Sequence, residues 1–363
     1  MLRNFLRGIF YNLSGFKTPS SWLPHSKLYI KSENSNWVLD TIKEEMLGVC
    51  QELSIPVVQE KFGYKLKDQS IFYTSKYEVL ENFKRQNNKI AFPYYHGDPS
   101  LDNKFKKLVE SIEMNHQWID RIQVSHSQIE QLILNTGIEE SKIHKIPISI
   151  DINKFDLRGD QEKERIREVL NIPTSEILIG SFQKDGNGWG EGIEPKLIKG
   201  PDIFLTIAKA LKDKYDNLSV LLTGPARGYM KKGLSELGIP YYHYFLKDYS
   251  DISDFYKALD LYLITSREEG GPRAVLESMA SGVPLVTTKV GQAIDLVRHN
   301  KNAWMAESNN TDELVHWCEH VIDGFNSHEE ILYNARKTAE ENSYDQQIIL
   351  WRQFMNGFVN KNV

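Results

Sequence analysis

The chain has 363 residues, 40% hydrophobic and 26% charged, with 44 Lys and Arg against 49 Asp and Glu and a formal net charge of −5. That profile excludes a disordered or membrane-spanning chain, leaves room for two ordinary domains, and argues against a nucleic-acid partner held by bulk charge. The only cysteines, Cys50 and Cys318, are far apart in helix-like surroundings, which predicts two reduced, buried thiols in a cytoplasmic protein and no disulfide framework or metal cluster.

In chain order, "MLRNFLRGIFYNLSGF" comes first. Leu2, Phe5, Leu6, Ile9, Phe10, Leu13 and Phe16 recur at helical spacing, with Arg3 and Arg7 between them. No apolar run here is long enough to span a bilayer, and Arg7 interrupts any signal core. Two readings stay open: a first helix packed on its own domain, or an interfacial helix giving peripheral membrane contact through residues 1–16. Then "KLYIK", "IPVVQ", "SIFYT", "KIAFPYY", "RIQVS" and "KIHKIP" read as strands. "WVLDTIKEEMLGVCQEL", "YEVLENFKRQ", "LDNKFKKLVESIEMNHQW" and "SQIEQLILNTG" between them carry helix periodicity. Such alternation predicts βαβ units and parallel sheets covered on both faces.

Charge rises at "SIDINKFDLRGDQEKERIREVL", which reads as a hinge near Asp151 to Asp160 between two domains, 1–155 and 160–344. The alternation then resumes with "EILIGSF", "LSVLLTG", "PYYHYF", "DLYLITS", "VPLVTT" and "NAWMAE" as strands. A last helix, about 345–363, is assigned to the first domain.

Ligands of doubly wound sheets sit at the carboxyl ends of the strands, and three second-half motifs fall there. "LLTGPARG" ends a strand at Gly224. "SFQKDGNGWGEGIEPKLIKGPD" is a long Gly-rich loop carrying Lys184 and Lys199. It is either an anion site feeding a helix start or an ordinary surface loop. "REEGGPRAVLESMASGVPLVTT" is the third. Gly270 and Gly271 lack a Cβ and let a ligand approach the main chain, and Pro272 suits a first helical position. Glu277 falls about one and a half turns inside an apolar helix at roughly 3.6 residues per turn. A carboxylate there needs a partner, either another side chain or a ligand.

In the first half, "PYYHGDPS" places His96 and Asp98 beside Gly97. They either reach a reacting centre or form a hydrogen-bonded turn with Tyr94 and Tyr95 in the core. His126 reads as a residue leading into a helix, Asp295 as a structural helix-start acid, and Trp189 as a sugar-stacking ring or a packing anchor. No His, Cys or Asp cluster has metal-ligand spacing.

The stretch from Arg267 to Thr288 resembles the E-x7-E signature of the retaining glycosyltransferases of family 4. Lys199-Gly200 before a helix, the strand ending at Gly224 and "SGVPLVTTKVGQAIDLV" follow the same order. The likeness runs from about Ile119 to the C-terminus and is densest from Lys199 to Val297. It implies an α/β, GT-B fold, with two Rossmann-like doubly wound parallel-sheet domains facing an interdomain cleft. By carry-over, Glu269 holds hydroxyls of the donor sugar, and backbone N–H groups around Gly270, Gly271, Pro272 and Arg273 meet sugar and phosphate. Glu277 accepts from ribose hydroxyls, and Lys199, with Lys184, neutralises the diphosphate. His96 is the first-half candidate for the reacting centre.

The implied activity is metal-independent transfer of a hexose-type sugar from a nucleotide diphosphate sugar, UDP- or GDP-linked, to a glycan or lipid-linked acceptor. No further cofactor and no nucleic acid take part, and cell-surface polysaccharide synthesis at the inner face of the plasma membrane is the expected setting. The alternatives are a non-catalytic nucleotide-sugar-binding scaffold and an epimerase of the same shape. Two departures stand out. Gly180 is followed by Ser181, Phe182 and Gln183 where the family has an arginine, and "YIKSENSNW" replaces the glycine pair after the first strand.

Overall fold

The computed structural model describes residues 24–32, 38–59, 66–188, 190–246, 248–324 and 328–360. The segment 1–16 and Trp189, read above from the sequence, lie outside them. The chain forms two compact units. One holds the residues up to Val124, Glu130–Ile146 and the chain from Ile348; the other holds Ser125–Ile129 and Pro147–Gln347.

The first unit runs β1 (Leu28–Lys31), α1 (Val38–Glu52), β2 (Val57–Gln59), β3 (Ser70–Tyr73), α2 (Lys76–Leu80), β4 (Lys89–Pro93), α3 (Asn103–Asn115) and β5 (Arg121–Val124). α4 (Ser127–Leu134), whose first turn groups with the second unit, leads to β6 (Ile143–Lys145). All six strands pair in parallel in the order β2-β1-β3-β4-β5-β6. Both faces are covered, so β3 reads as a run of buried residues rather than an alternation. α2 is shorter than the periodicity of "YEVLENFKRQ" predicts. It buries Lys76, Val79 and Leu80 and ends there, and the chain then turns through positive φ at Gln86 and Asn87 before β4. At the start of α3, Asp102 accepts from Lys104 N–H and caps the helix.

The second unit continues with α5 (Asp160–Val169), β7 (Ile177–Ser181), α6 (Pro201–Lys214), β8 (Leu218–Thr223), α7 (Gly228–Glu236), β9 (Tyr241–Tyr244), α8 (Ile252–Lys257) and β10 (Leu261–Ile264). It closes with α9 (Arg273–Ala280), β11 (Leu285–Thr288), α10 (Ala293–Leu296), β12 (Trp304–Ala306), α11 (Thr311–Asp323) and α12 (Glu329–Glu341). α13 (Tyr344–Met355) follows, and from Ile348 its residues group with the first unit, where Trp351 and Phe354 pack on Phe72.

The strand order here is β12-β11-β10-β7-β8-β9, all parallel. The order reverses between β7 and β10, so the chain leaves these two neighbours in opposite directions and opens a crevice at their carboxyl ends. α6 shows how local sequence serves this layout. Pro201 opens it, Lys212 and Lys214 close it, and Ile203, Phe204, Ile207 and Leu211 face the sheet. Each such side chain contributes about 1.5–3 kcal/mol on burial. Cys50 and Cys318 are free and buried, and burial raises both thiols, Cys50 to about 12. Among the described residues no helix is long and apolar enough to cross a membrane.

Candidate active site

The crevice between β7 and β10 is where the chemistry collects. β10 runs out through Thr265 and Ser266, both fully buried, into the turn that carries Glu269. Lys199 Nζ lies 2.5 Å from Glu269 Oε2, and the side chains are 20% and 11% exposed. Ser266 Oγ is 2.8 Å from Glu269 Oε1 and 3.0 Å from Gln183 Oε1, while Gln183 Nε2 donates to the Lys199 carbonyl at 2.8 Å. Glu269 therefore has a cation on one oxygen and a hydroxyl on the other.

Lys199 is placed by Gly200. This glycine sits at φ 63°, and a Cβ there would fall 1.8 Å from the Thr265 carbonyl oxygen. Only glycine fits both the left-handed backbone and that approach. The Thr265 hydroxyl donates to the Gly200 carbonyl, and Arg267 grips Asp202 with two bonds at 2.8 and 2.6 Å, tying the start of α6 to the β10 turn. That guanidinium holds the Asp202 carboxyl below its usual range.

Lys196, which the sequence reading did not single out, joins the cluster. Burial pulls its ammonium down. Lys199 pushes the same way, Glu269 opposes, and Lys184 adds to the lowering, so all four charged groups are within electrostatic reach. Three lysines and the Glu269 carboxylate thus act on one another at the switch point. The signal in the sequence was "EPKLIKG", where the two lysines stand three apart next to a helix-opening Gly-Pro.

Glu277 answers the question raised by its position. It is 4% exposed on α9, and its partners are side chains: Tyr249 donates to Oε1 at 2.6 Å and Tyr256 to Oε2 at 2.9 Å. Burial raises the carboxyl above its usual range; the Tyr249 bond, Arg273 and the Tyr256 bond pull it back. Tyr256 is buried among Phe182 and Tyr262, whereas Tyr249 is 43% exposed. Pro272 is the N-cap of α9 and Arg273 its first residue, one position later than the sequence suggested, within the ordinary play of helix ends. Arg273 donates to the Tyr344 hydroxyl at 2.6 Å. The N–H groups of Gly270 and Gly271 have no acceptor among the described residues.

Gln292 was also missed. It accepts from Ile148 N–H at 2.9 Å and donates back to the Ile148 carbonyl at 3.3 Å, bracing the chain beside Gly271. Ser125 donates to the Gly270 carbonyl. Gly224 ends β8 at φ 78°, held by the Tyr244 carbonyl and by His243, 2.8 Å from its own carbonyl oxygen. Asp295 takes the structural role expected of it, accepting from Ser127 N–H and Oγ at the start of α4. His126 is buried directly before that helix.

His96 belongs to the first unit, in the loop after β4. The Lys76 ammonium donates to its carbonyl and sits 3.9 Å from the Tyr94 ring centre, and the imidazole meets Phe105 edge-on at 5.6 Å. Tyr94 bonds the Gly97 carbonyl and Asp98 caps Ser100, so the segment is a hydrogen-bonded turn whose imidazole is only partly buried.

Residues 193–338 match the family model described as "Glycosyl transferases group 1". A lipopolysaccharide core biosynthesis mannosyltransferase, LpsB of Rhizobium meliloti, is 33% identical over 42% of this chain and 43% of its own length. The capsular polysaccharide biosynthesis glycosyltransferase CapM of Staphylococcus aureus is 24% identical over 64% of this chain and 60% of its own. The chain thus spans about half the length of the curated relatives it matches. Among solved structures, Anabaena Alr3699/HepE in complex with UDP superposes with a TM-score of 0.71 at 14% identity, covering 92% of this chain and 100% of that one. The fold is therefore the α/β, GT-B one, with two doubly wound parallel-sheet units.

Proposed function

We propose that the protein is a retaining glycosyltransferase that moves a hexose-type sugar from a nucleotide diphosphate sugar to a glycan or lipid-linked acceptor in cell-surface polysaccharide synthesis. The observation that carries this is the switch-point cluster: Glu269 bonded to Lys199 and Ser266, with Lys184 and Lys196 beside it. A carboxylate set among ammonium groups suits a ligand that presents sugar hydroxyls and a diphosphate together. Similarity to proteins named for capsule and lipopolysaccharide synthesis, and to one solved with UDP-glucose, supports the same reading.

In this reaction the bond from the anomeric carbon to the diphosphate oxygen breaks, and its electron pair leaves with the phosphate. The acceptor hydroxyl oxygen forms the new bond on the same face and passes its proton to the departing phosphate. The protein's part is to hold both reactants and to stabilise the developing negative charge. Lys199, Lys196 and Lys184 do this as fixed cations, so no metal ion is called for. Glu269 orients the sugar, the Gly270 and Gly271 N–H groups face sugar and phosphate, and Glu277 exchanges a tyrosine hydroxyl for a ribose hydroxyl. His96 is assigned to the acceptor side.

The test is a thermal-shift screen of UDP-, GDP- and ADP-hexoses, run beside Glu277→Ala. A donor at 100-fold excess over its dissociation constant adds about 2.7 kcal/mol. One donor should shift the wild type and not the variant. Equal shifts in both proteins, or none with any donor, would sink the assignment.

A further inference from the structure

The Gly-rich loop after β7 is a small, tightly tied hairpin. Lys196 N–H donates to the Asp185 carbonyl at 2.7 Å, Asn187 N–H to Glu194 at 2.9 Å, and Gly186 pairs with Pro195 in an antiparallel bridge. The hairpin sits on the turn between β8 and α7. Gly228 N–H reaches the Glu191 carbonyl at 2.6 Å and Tyr229 N–H that of Gly192 at 2.9 Å. A Cβ on Gly186 or Gly192 would fall 2.3 Å from the Ala226 carbonyl oxygen, so only glycines allow this seating.

Beneath the hairpin lies an ion pair. Arg227 Nη2 is 2.9 Å from Asp185 Oδ2, and neither side chain is exposed at all. The same guanidinium donates to the Ser181 carbonyl at 2.7 Å and the Thr223 carbonyl at 3.0 Å, with Ser181 Oγ at 3.1 Å. One side chain thus joins the ends of two central strands to the root of the loop. Being wholly buried, Arg227 has no surface to offer a ligand. What it controls is Asp185, whose chain neighbour is Lys184 and whose carbonyl holds Lys196.

We propose that the buried Asp185–Arg227 pair is a positioning device that sets Lys184 and Lys196 at the spacing a diphosphate requires. This rests on the reading of the lysine cluster as the diphosphate site. The pair does not touch the ligand; it fixes where two point charges stand, and a charge displaced by a few ångströms in partly solvated surroundings loses much of its attraction. A purely structural pair would matter equally to every ligand. A positioning pair matters in proportion to how much phosphate the ligand carries.

The experiment compares UDP with UMP by calorimetry. The main variant is the double replacement Asp185→Leu with Arg227→Met, which removes both charges at similar volume and avoids stranding one of them. Arg227→Lys, which keeps the charge but not the fork, is the conservative control. The double variant should lose at least tenfold in affinity for UDP and less than twofold for UMP, with Arg227→Lys between it and the wild type. Unchanged UDP affinity, or equal losses for both nucleotides, would overturn the proposal. If the double variant does not fold, hydrogen exchange of the wild type decides. The amides of Asn187 and Lys196, which close the hairpin, should be protected from exchange, and rapid exchange at both would overturn the idea. Lys196→Ala and Lys199→Ala separate the two layers: if neither weakens UDP binding, the diphosphate reading itself fails. If both do and the double variant does not, only the positioning role falls.

Discussion

Replacing Glu277 by glutamine tests both the fold's tolerance of a buried carboxylate and its purpose. The side chain accepts from two tyrosine hydroxyls and, among the described residues, meets no cation at hydrogen-bond distance. Burial raises its pKa above 4.5, so the native state holds this proton more tightly than the unfolded chain. Its contribution to stability is complete below pH 4.5 and is lost as pH rises through the folded value, after which it stays level. Each tenfold difference in proton affinity between the two states is worth about 1.4 kcal/mol. Glutamine does not titrate, so Glu277→Gln should gain stability relative to the wild type between pH 4 and 8 in urea unfolding. Over the same range it should bind UDP more weakly. A charged hydrogen bond to a hydroxyl contributes roughly 1.5–3 kcal/mol, which is about ten- to hundredfold in affinity. A stability difference that does not change with pH, together with unchanged UDP binding, would refute the reasoning at both ends.

Gly200→Ala should destabilise by more than about 2 kcal/mol, because a left-handed alanine is strained and its Cβ runs into the Thr265 carbonyl; urea unfolding within 0.5 kcal/mol of wild type, on the order of an ordinary surface change, would contradict this. His144, packed edge-on to Phe354 at 5.1 Å, is held down to about 4 by burial, with Arg121 adding to the effect. Its neutral form is favoured in the fold, so stability is present above pH 6.5 and lost as pH falls from there towards 4. Discounted for a partly exposed ring, the loss is about 1–2 kcal/mol, and His144→Gln should remove that slope from unfolding measured at pH 7 and pH 5. Lys199→Ala and Glu269→Ala should not be additive in UDP-glucose affinity. Groups in direct contact couple by roughly 0.5–3 kcal/mol, and a double variant whose loss equals the sum of the singles would show that the pair does not act as a unit.

The strands were legible because a parallel sheet covered on both faces needs short, unbroken apolar runs, and "LSVLLTG" or "DLYLITS" can hardly serve otherwise. Their order was not. β7 lies next to β10, some eighty residues on, and nothing local in "EILIGSF" names that neighbour. The same gap separates the parts of the site. Glu269, Glu277 and Lys199 stood out because their surroundings were odd for charged residues: a Gly-Gly-Pro turn, an apolar helix, a helix-opening Gly. Lys196 carried only the faint signal of standing three residues before Lys199, and Gln292 and Arg227 stood out for nothing. Each is an ordinary polar residue whose role comes from what the fold brings beside it.

The two glutamates show what spacing alone can carry. Eight positions apart, they end in opposite electrostatic settings, and the cause is where each falls on the same strand–turn–helix unit. Glu269 is in the turn at the strand end, where the loop after β7 can reach it, so it meets a cation. Glu277 is on the helix, surrounded by apolar neighbours, and what reaches it are the hydroxyl tips of aromatic rings that pack there for their area. A carboxylate bonded only to neutral donors, with Arg273 acting on it from farther off, keeps much of its negative charge in a buried site. That is costly to the fold and useful to a binding site, since any incoming pair of hydroxyls finds an acceptor already desolvated and aimed. Tyr249, the more exposed of its two partners, is the one such hydroxyls would replace, because Tyr256 is locked in the core behind it.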